Sequence, residues 1–218
     1  MSMDSSTATW PPWPPEIPPL RPPSRPAEPP APRPILPSWE EPDQSLRDRD
    51  VADRLLEQRV IVLGGRLDDP VASRVTAQLL VLDGRDARPI ELHLACTEAD
   101  LDASLALAGA IDLVESPVHA IVRGTLRGPA VAVLCAAQQR AAHRHTIFVL
   151  SLPQFTGEGT AGQLAALAEQ HERQVARLRD LITRASGRAA ADVAADLEAG
   201  RVLSADEAME YGLVDRLL

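Results

Sequence analysis

Between residues 45 and 218 short apolar runs alternate with stretches whose apolar residues recur at three- and four-residue steps, the pattern of strands followed by amphipathic helices. Leu46, Val51, Leu55 and Leu56 predict a short helix over 45–58, and 59–63 a strand ended by Gly64-Gly65. Asp69 before Pro70 reads as an N-cap with proline at the first helical position, opening a helix whose Val71, Val75, Leu79 and Leu82 share one face up to Gly84. A strand over 89–95, a helix over 100–114 and a strand over 117–123 follow. The next apolar run, 128–137, predicts a buried helix, and 146–151 a fourth strand. Leu164, Leu167, His171, Val175, Leu178 and Ile182 then mark a long helix over 160–185, stopped at Gly187, with Glu169, Arg173, Arg177 and Arg179 on its opposite face. Two shorter helices, 189–198 and 204–211, close the chain, the second opened by a Ser204/Glu207 capping box.

Strands alternating with helices over about 100 residues predict βαβ units and a mainly parallel sheet covered on its faces, an α/β fold. Residues 1–44 break the pattern. They hold fifteen of the twenty prolines, many as Pro-Pro pairs, with Trp10, Trp13 and Trp39 between them. Such a stretch predicts an extended, disordered arm of polyproline II character, leaving 45–218 as the folded domain. Trp10 and Trp13 are candidates for docking into a partner's groove.

The chain has a formal net charge of -9, contains no Lys, and shows no basic stripe, which argues against a nucleic-acid partner. The start lacks a signal-peptide pattern and the longest apolar run, 130–137, is too short to span a bilayer, so a cytoplasmic protein with no membrane contact is expected. Cys96 and Cys135 stand in apolar segments without CxxC or paired-His spacing; small buried core residues are expected, and neither a metal site nor a cofactor is indicated.

The stretch with the most chemistry in its shape is 120–137. A strand, a glycine-marked turn at Gly124 and a buried helix form the elbow on which α/β hydrolases expose a nucleophile. Gly128 and Pro129 occupy that elbow. Glycine has no nucleophilic side chain, and proline has no N–H to offer a developing oxyanion.

Several strings resemble the proteolytic subunit of the Clp protease, ClpP, of the ClpP/crotonase fold. They are Asp50 with Arg54 to Gly65, Ala77-Gln78-Leu79-Leu80, Ile121 to Gly124, and above all Leu203 to Asp215 with its Tyr-Gly-Leu-Val-Asp ending. The resemblance covers 45–218 and implies a βαβ superhelix with a long handle helix, the handle spanning about 151–185. It also implies heptameric rings stacked face to face, a hexameric ATP-driven unfoldase, and a Ser-His-Asp triad.

The family's triad positions fall here on Gly128 for the nucleophile, Ser151 for the base and Gly200 for the acid. The oxyanion positions fall on Pro129 and, in place of a Gly-Gly pair, on Glu98-Ala99. The resemblance therefore implies a degenerate site at Gly128, Ser151, Gly200, Ala99 and Pro129, with no catalytic residue retained. An Arg-Asp pair that links rings in the family reads Ala199-Gly200, which favours a single ring over a stacked pair. The arm stands where the family's axial loops meet the unfoldase.

Two other chemistries compete. A rearranged dyad would draw on Cys96, Thr125, Ser151, His143 and His145, and a crotonase-type acyl-CoA enzyme would use Glu98 as a lone base. The first needs nucleophile, base and oxyanion donors re-placed together; the second loses a donor at Pro129. The expected function is a non-catalytic ClpP-like subunit, either a homo-oligomer or a hetero-oligomer with an active ClpP paralogue, with a Clp ATPase as a further partner. The alternatives are an active Clp serine endopeptidase and the acyl-CoA enzyme.

Overall fold

A computed structural model describes residues 44–218, with side chains from Val51 onward; the arm and its tryptophans lie outside the described residues. Helix α1 (Gln44–Glu57) leads into strand β1 (Val60–Leu67), followed by α2 (Asp69–Asp83), β2 (Ile90–Ala99), α3 (Leu101–Leu113) and β3 (Val118–Val122). A short β4 (Thr125–Arg127) precedes a single 3-10 turn over Gly128–Ala130 and helix α4 (Val131–Ala136). Then come β5 (Gln139–Ala142), β6 (Ile147–Val149), the 26-residue α5 (Ala161–Ser186), α6 (Ala190–Ala199), β7 (Val202–Ser204), α7 (Ala205–Tyr211) and β8 (Arg216–Leu217).

The α/β fold is the one expected from the pattern. Five strands form a sheet in the order β1-β2-β3-β5-β8, all neighbours parallel. A second sheet, β4-β6-β7, pairs β4 parallel and β7 antiparallel to the central β6. On the larger sheet Ile61, Leu63, Ile90, Leu92, Leu94, Val118, Ala120 and Val122 point to the core. The alternate residues Val62, Glu91 and His93 point the other way, and Val62 is 50% exposed. The sheet is thus buried on one face among the described residues, rather than on both as expected of a parallel sheet. Leu126, Phe148 and Leu203 carry the core into the second sheet, and Val131 to Leu134 on α4 sit beneath both, fully buried.

Three expectations need correction. Strand β1 runs through Gly64 and Gly65 to Leu67, because pairing with β2 continues past the glycines by a register shift at Gly65/Arg66. Asp68, not Asp69, caps α2, its carboxylate accepting from the Val71 N–H at 3.1 Å, and Pro70 sits inside the first turn. The fourth predicted strand shrinks to Ile147–Val149 and belongs to the second sheet, and 150–160 carries no strand beside the long helix. The two termini read from caps agree with the pattern. Ser204 and Glu207 make the reciprocal capping box, and α5 ends at Gly187 with φ +70°.

Buried polar groups tie the elements together. The Arg59 guanidinium, 6% exposed, donates to the carbonyls of Leu82, Asp86, Arg88 and Pro89 and to the Ser116 hydroxyl, and pairs with the Asp86 carboxylate at 3.1 Å. Hydrogen bonds from Arg88 hold the Asp86 carboxyl down at about 2. Arg140 on β5 reaches Asp215 at 2.6 Å and the carbonyls of Ala185 and Gly212. The Tyr211 hydroxyl donates to Asp196 at 2.8 Å, with the Arg188 guanidinium 4.0 Å above the ring. Burial and then the Asp196 carboxylate push the Tyr211 phenol well above its usual range.

His93, on the outward face of β2, has a buried Nδ1 with no hydrogen-bond partner among the described residues, and its Nε2 lies 3.6 Å from Glu91. Burial, then the charge of Arg123, lowers its pKa below the usual imidazole value. The unfolded chain therefore binds more protons near neutrality. The resulting stability is complete above the unfolded pKa of roughly 6.5 and declines as pH falls below it. The melting temperature should drop between pH 7.5 and 5.5, and His93→Gln should shrink that drop; an equal drop in both proteins contradicts the assignment.

Candidate functional site

The elbow begins where β3 ends. Gly124, with φ +69°, turns the chain out of the large sheet into β4 of the second sheet, and Gly128 turns it again into the 3-10 turn and α4. Gly128 has φ +56°, a conformation that costs an L side chain about 1–2 kcal/mol and that strained nucleophile elbows adopt. Pro129 fits the first helical turn, where a missing N–H leaves no intrahelical bond unmade. The apolar run behind it anchors the turn against the core.

Gly128 and Pro129 open onto a cleft of about 970 Å³. Its other walls come from the end of β2 (Thr97, Glu98, Ala99), the start of α3 (Asp100, Asp102), residues 151–156, and His171 and Gln174 of α5. Gly128 and Ser151 face each other: a Cβ built on Gly128 lies 3.3 Å from the Ser151 hydroxyl oxygen and 3.7 Å from its carbonyl. Gly200 ends α6 in the left-handed conformation, φ +67°, and does not line the cleft. Its neighbours nevertheless bracket Ser151, since the Leu150 N–H donates to Arg201 at 2.8 Å and the Leu152 N–H to Leu197 at 3.2 Å. Four of the five positions singled out in the sequence (Ala99, Gly128, Pro129 and Ser151) thus share one cleft, and the fifth lies beside its wall.

The chemistry available there is limited. Gly128 has nothing to attack with and Pro129 nothing to donate. The Ser151 hydroxyl makes no hydrogen bond among the described residues, so no base activates it. Glu98 is exposed and lies 3.6 Å from the Arg66 guanidinium, which also pairs with Asp100 at 2.9 Å. A solvated, paired carboxylate of this kind lacks the burial that tunes a general base.

The residues of a rearranged dyad are not brought together. Cys96 is buried in β2, its thiol pushed up to about 11 by burial, and Cys135 on α4 is half-buried, pushed up to about 12. Both therefore hold little thiolate at neutral pH. His143 and His145 are exposed on the turn after β5, and Thr125 does not line the cleft.

Sequence reasoning missed a second group. Phe155 and His171 meet at the wall of the cleft, ring centroids 5.0 Å apart and planes tilted by 41°. The Gln174 amide, one turn along α5, donates to the Asp102 carboxylate. In the sequence His171 stands on the apolar stripe of the long helix. A polar ring in an otherwise apolar stripe was the available signal.

Comparison with known proteins places this geometry in a family context. A family model described as Clp protease matches residues 43–218. The chain is 37% identical to a Clp protease proteolytic subunit-like protein of Streptomyces coelicolor, over 85% of this chain and 91% of the relative. It is 31% identical to ATP-dependent Clp protease proteolytic subunit 3 of Rhodococcus jostii, over 81% and 89%, and 30% identical to proteolytic subunit 1 of Nocardia farcinica, over 82% and 92%. Among the described residues no helix is long and apolar enough to cross a membrane.

Proposed function

Because the chain belongs to the Clp protease family, we propose that it is a non-catalytic proteolytic-subunit homologue that joins an oligomeric ring with an active paralogue. The observation that carries this reading is the shared cleft of Gly128, Pro129 and Ser151. The nucleophile position carries no side chain at Gly128, the base position holds a neutral hydroxyl at Ser151, and the oxyanion position at Pro129 has no N–H, so of the groups the family keeps there only the backbone N–H of Ala99 is left. Gly200, read as the position of the orienting acid, carries no side chain.

The rest of the molecule supports a retained structural role. The core strands, the buried α4 and the capped α7 keep full apolar packing around a cleft without catalytic groups. Such a pattern arises where burial and subunit contacts still matter and catalysis does not. In a mixed ring the subunit lowers the number of cutting sites while completing the enclosure. A cytoplasmic location and a Clp ATPase partner accompany this reading.

Native mass spectrometry of the full chain, alone and mixed with an active Clp proteolytic subunit of the same organism, tests it. Masses that contain both chains are expected. Two separate populations, with this chain monomeric throughout, overturn the co-assembly.

A further inference from the structure

The uncovered face of the large sheet lies away from the cleft, and strand register fixes which side chains share it. Residues paired across neighbouring strands point the same way, so Val62, His93, Ile121, Ala141 and Arg216 form one row across β1, β2, β3, β5 and β8. In the row before it Glu91 stands beside His119. Arg123 follows Ile121 by two positions and so points outward with it, and its backbone N–H donates to the Leu94 carbonyl at 2.8 Å, which keeps it in register with β2.

This face has an apolar centre and a basic margin. Val62 is 50% exposed and Ile121 half-buried, while Arg123 and Arg216 are exposed and make no ion pair among the described residues. The one carboxylate in these two rows, Glu91, lies 3.6 Å from the His93 Nε2. The charge of Arg123 acts on the His93 ring, so the guanidinium stands over the face. In a chain of formal net charge -9, two arginines without a counter-charge beside exposed apolar side chains run against the prevailing sign. Such a surface complements a partner whose apolar residue is flanked by carboxylates.

We propose that the outward face of the large sheet docks an extended acidic segment of a partner protein, with apolar contact at Ile121 and Val62 and carboxylates on Arg123 and Arg216. Strand spacing and rise put the Cα atoms of the two arginines about 12 Å apart, close to the ~13 Å between residues i and i+4 of an extended segment. One occupant can therefore reach both with a single apolar residue between its acids. The docking is independent of whether the cleft cuts peptides.

The test titrates a fluorescent peptide containing Glu-Ser-Leu-Ser-Glu with the full chain at low salt and follows its anisotropy, beside the same peptide with Gln in place of Glu. The Glu peptide should bind about fivefold tighter or better. Arg123→Gln and Arg216→Gln should each weaken it about two- to fivefold, and the double variant about tenfold. Arg177→Gln, exposed on α5, should leave it unchanged. Equal binding of the two peptides, or none of either, overturns the proposal, the first by assigning the face to an apolar occupant. A loss with Arg177→Gln as large as that with Arg123→Gln also overturns it, since attraction to any exposed arginine is not docking at this face.

Discussion

Gly212→Val should cost about 3–4 kcal/mol of stability, a large part of the roughly 5–15 kcal/mol available to a domain of this kind. Two penalties combine at this position. Gly212 ends α7 with φ +89°, where an L side chain is strained by about 1–2 kcal/mol and a β-branched one by more. A Cβ there would also lie 2.6 Å from the Ser186 carbonyl oxygen and 3.0 Å from its Cα. Those are backbone atoms at the end of α5, so relief requires moving a helix terminus, at a further 1–3 kcal/mol or so. Chemical denaturation should show a lower midpoint with the slope unchanged; a midpoint equal to the parent's contradicts the close approach.

Arg59→Met is expected to be nearly as damaging, at roughly 3 kcal/mol. The methionine fills the volume of the side-chain stem but removes the guanidinium from the carbonyls of Arg88 and Pro89, while the Leu82 carbonyl keeps only the Arg85 N–H and the Ser116 hydroxyl only its bond to the Asp86 carbonyl. These carbonyls belong to the α2–β2 connection, so one guanidinium satisfies the turn that sets the register of β1 against β2. Arg59 itself has φ +63°, a strained backbone that the fold tolerates because of these bonds. Arg59→Lys should recover little, since an ammonium cannot reproduce the planar fork. Thermal melts of the two variants check this; a loss under about 0.5 kcal/mol for either contradicts the role given to the buried fork.

The helices were legible in the sequence because they are long and capped by residues with a local mechanism. Ser204 and Gly187 act within four residues of themselves, so their effects are visible without the fold. The strands were less legible. β4, β5, β7 and β8 are two to four residues long, too short for alternation to register, and exist through pairing partners distant in the chain. Gly64 and Gly65 read as a strand end, yet β2 pairs on past them through a register shift.

The site divides in the same way. Gly128 and Pro129 announce an elbow from their neighbours, and Ser151 and Gly200 were located by family spacing alone. That Ser151 faces Gly128 depends on the parallel pairing of β4 with β6, which brings Arg127 beside Val149 and so the residues that follow them together. The Phe155–His171 contact was hidden too, because sixteen positions separate the rings and no periodicity links an irregular segment to a helix. Arg59 was read as the first residue of a strand, and nothing in its surroundings in sequence announces a buried guanidinium.

In the proposed function the family fold is kept around a cleft that does not cut. Hydrolysis of a fluorogenic peptide by the purified full chain tests it most directly, run beside the Gly128→Ser variant. Both proteins should match the buffer rate, the variant because Pro129 still withholds an N–H and Ser151 still offers no base. Turnover by the parent chain that disappears on substitution within the cleft, for instance Ser151→Ala, contradicts the claim and makes this subunit a protease by another route.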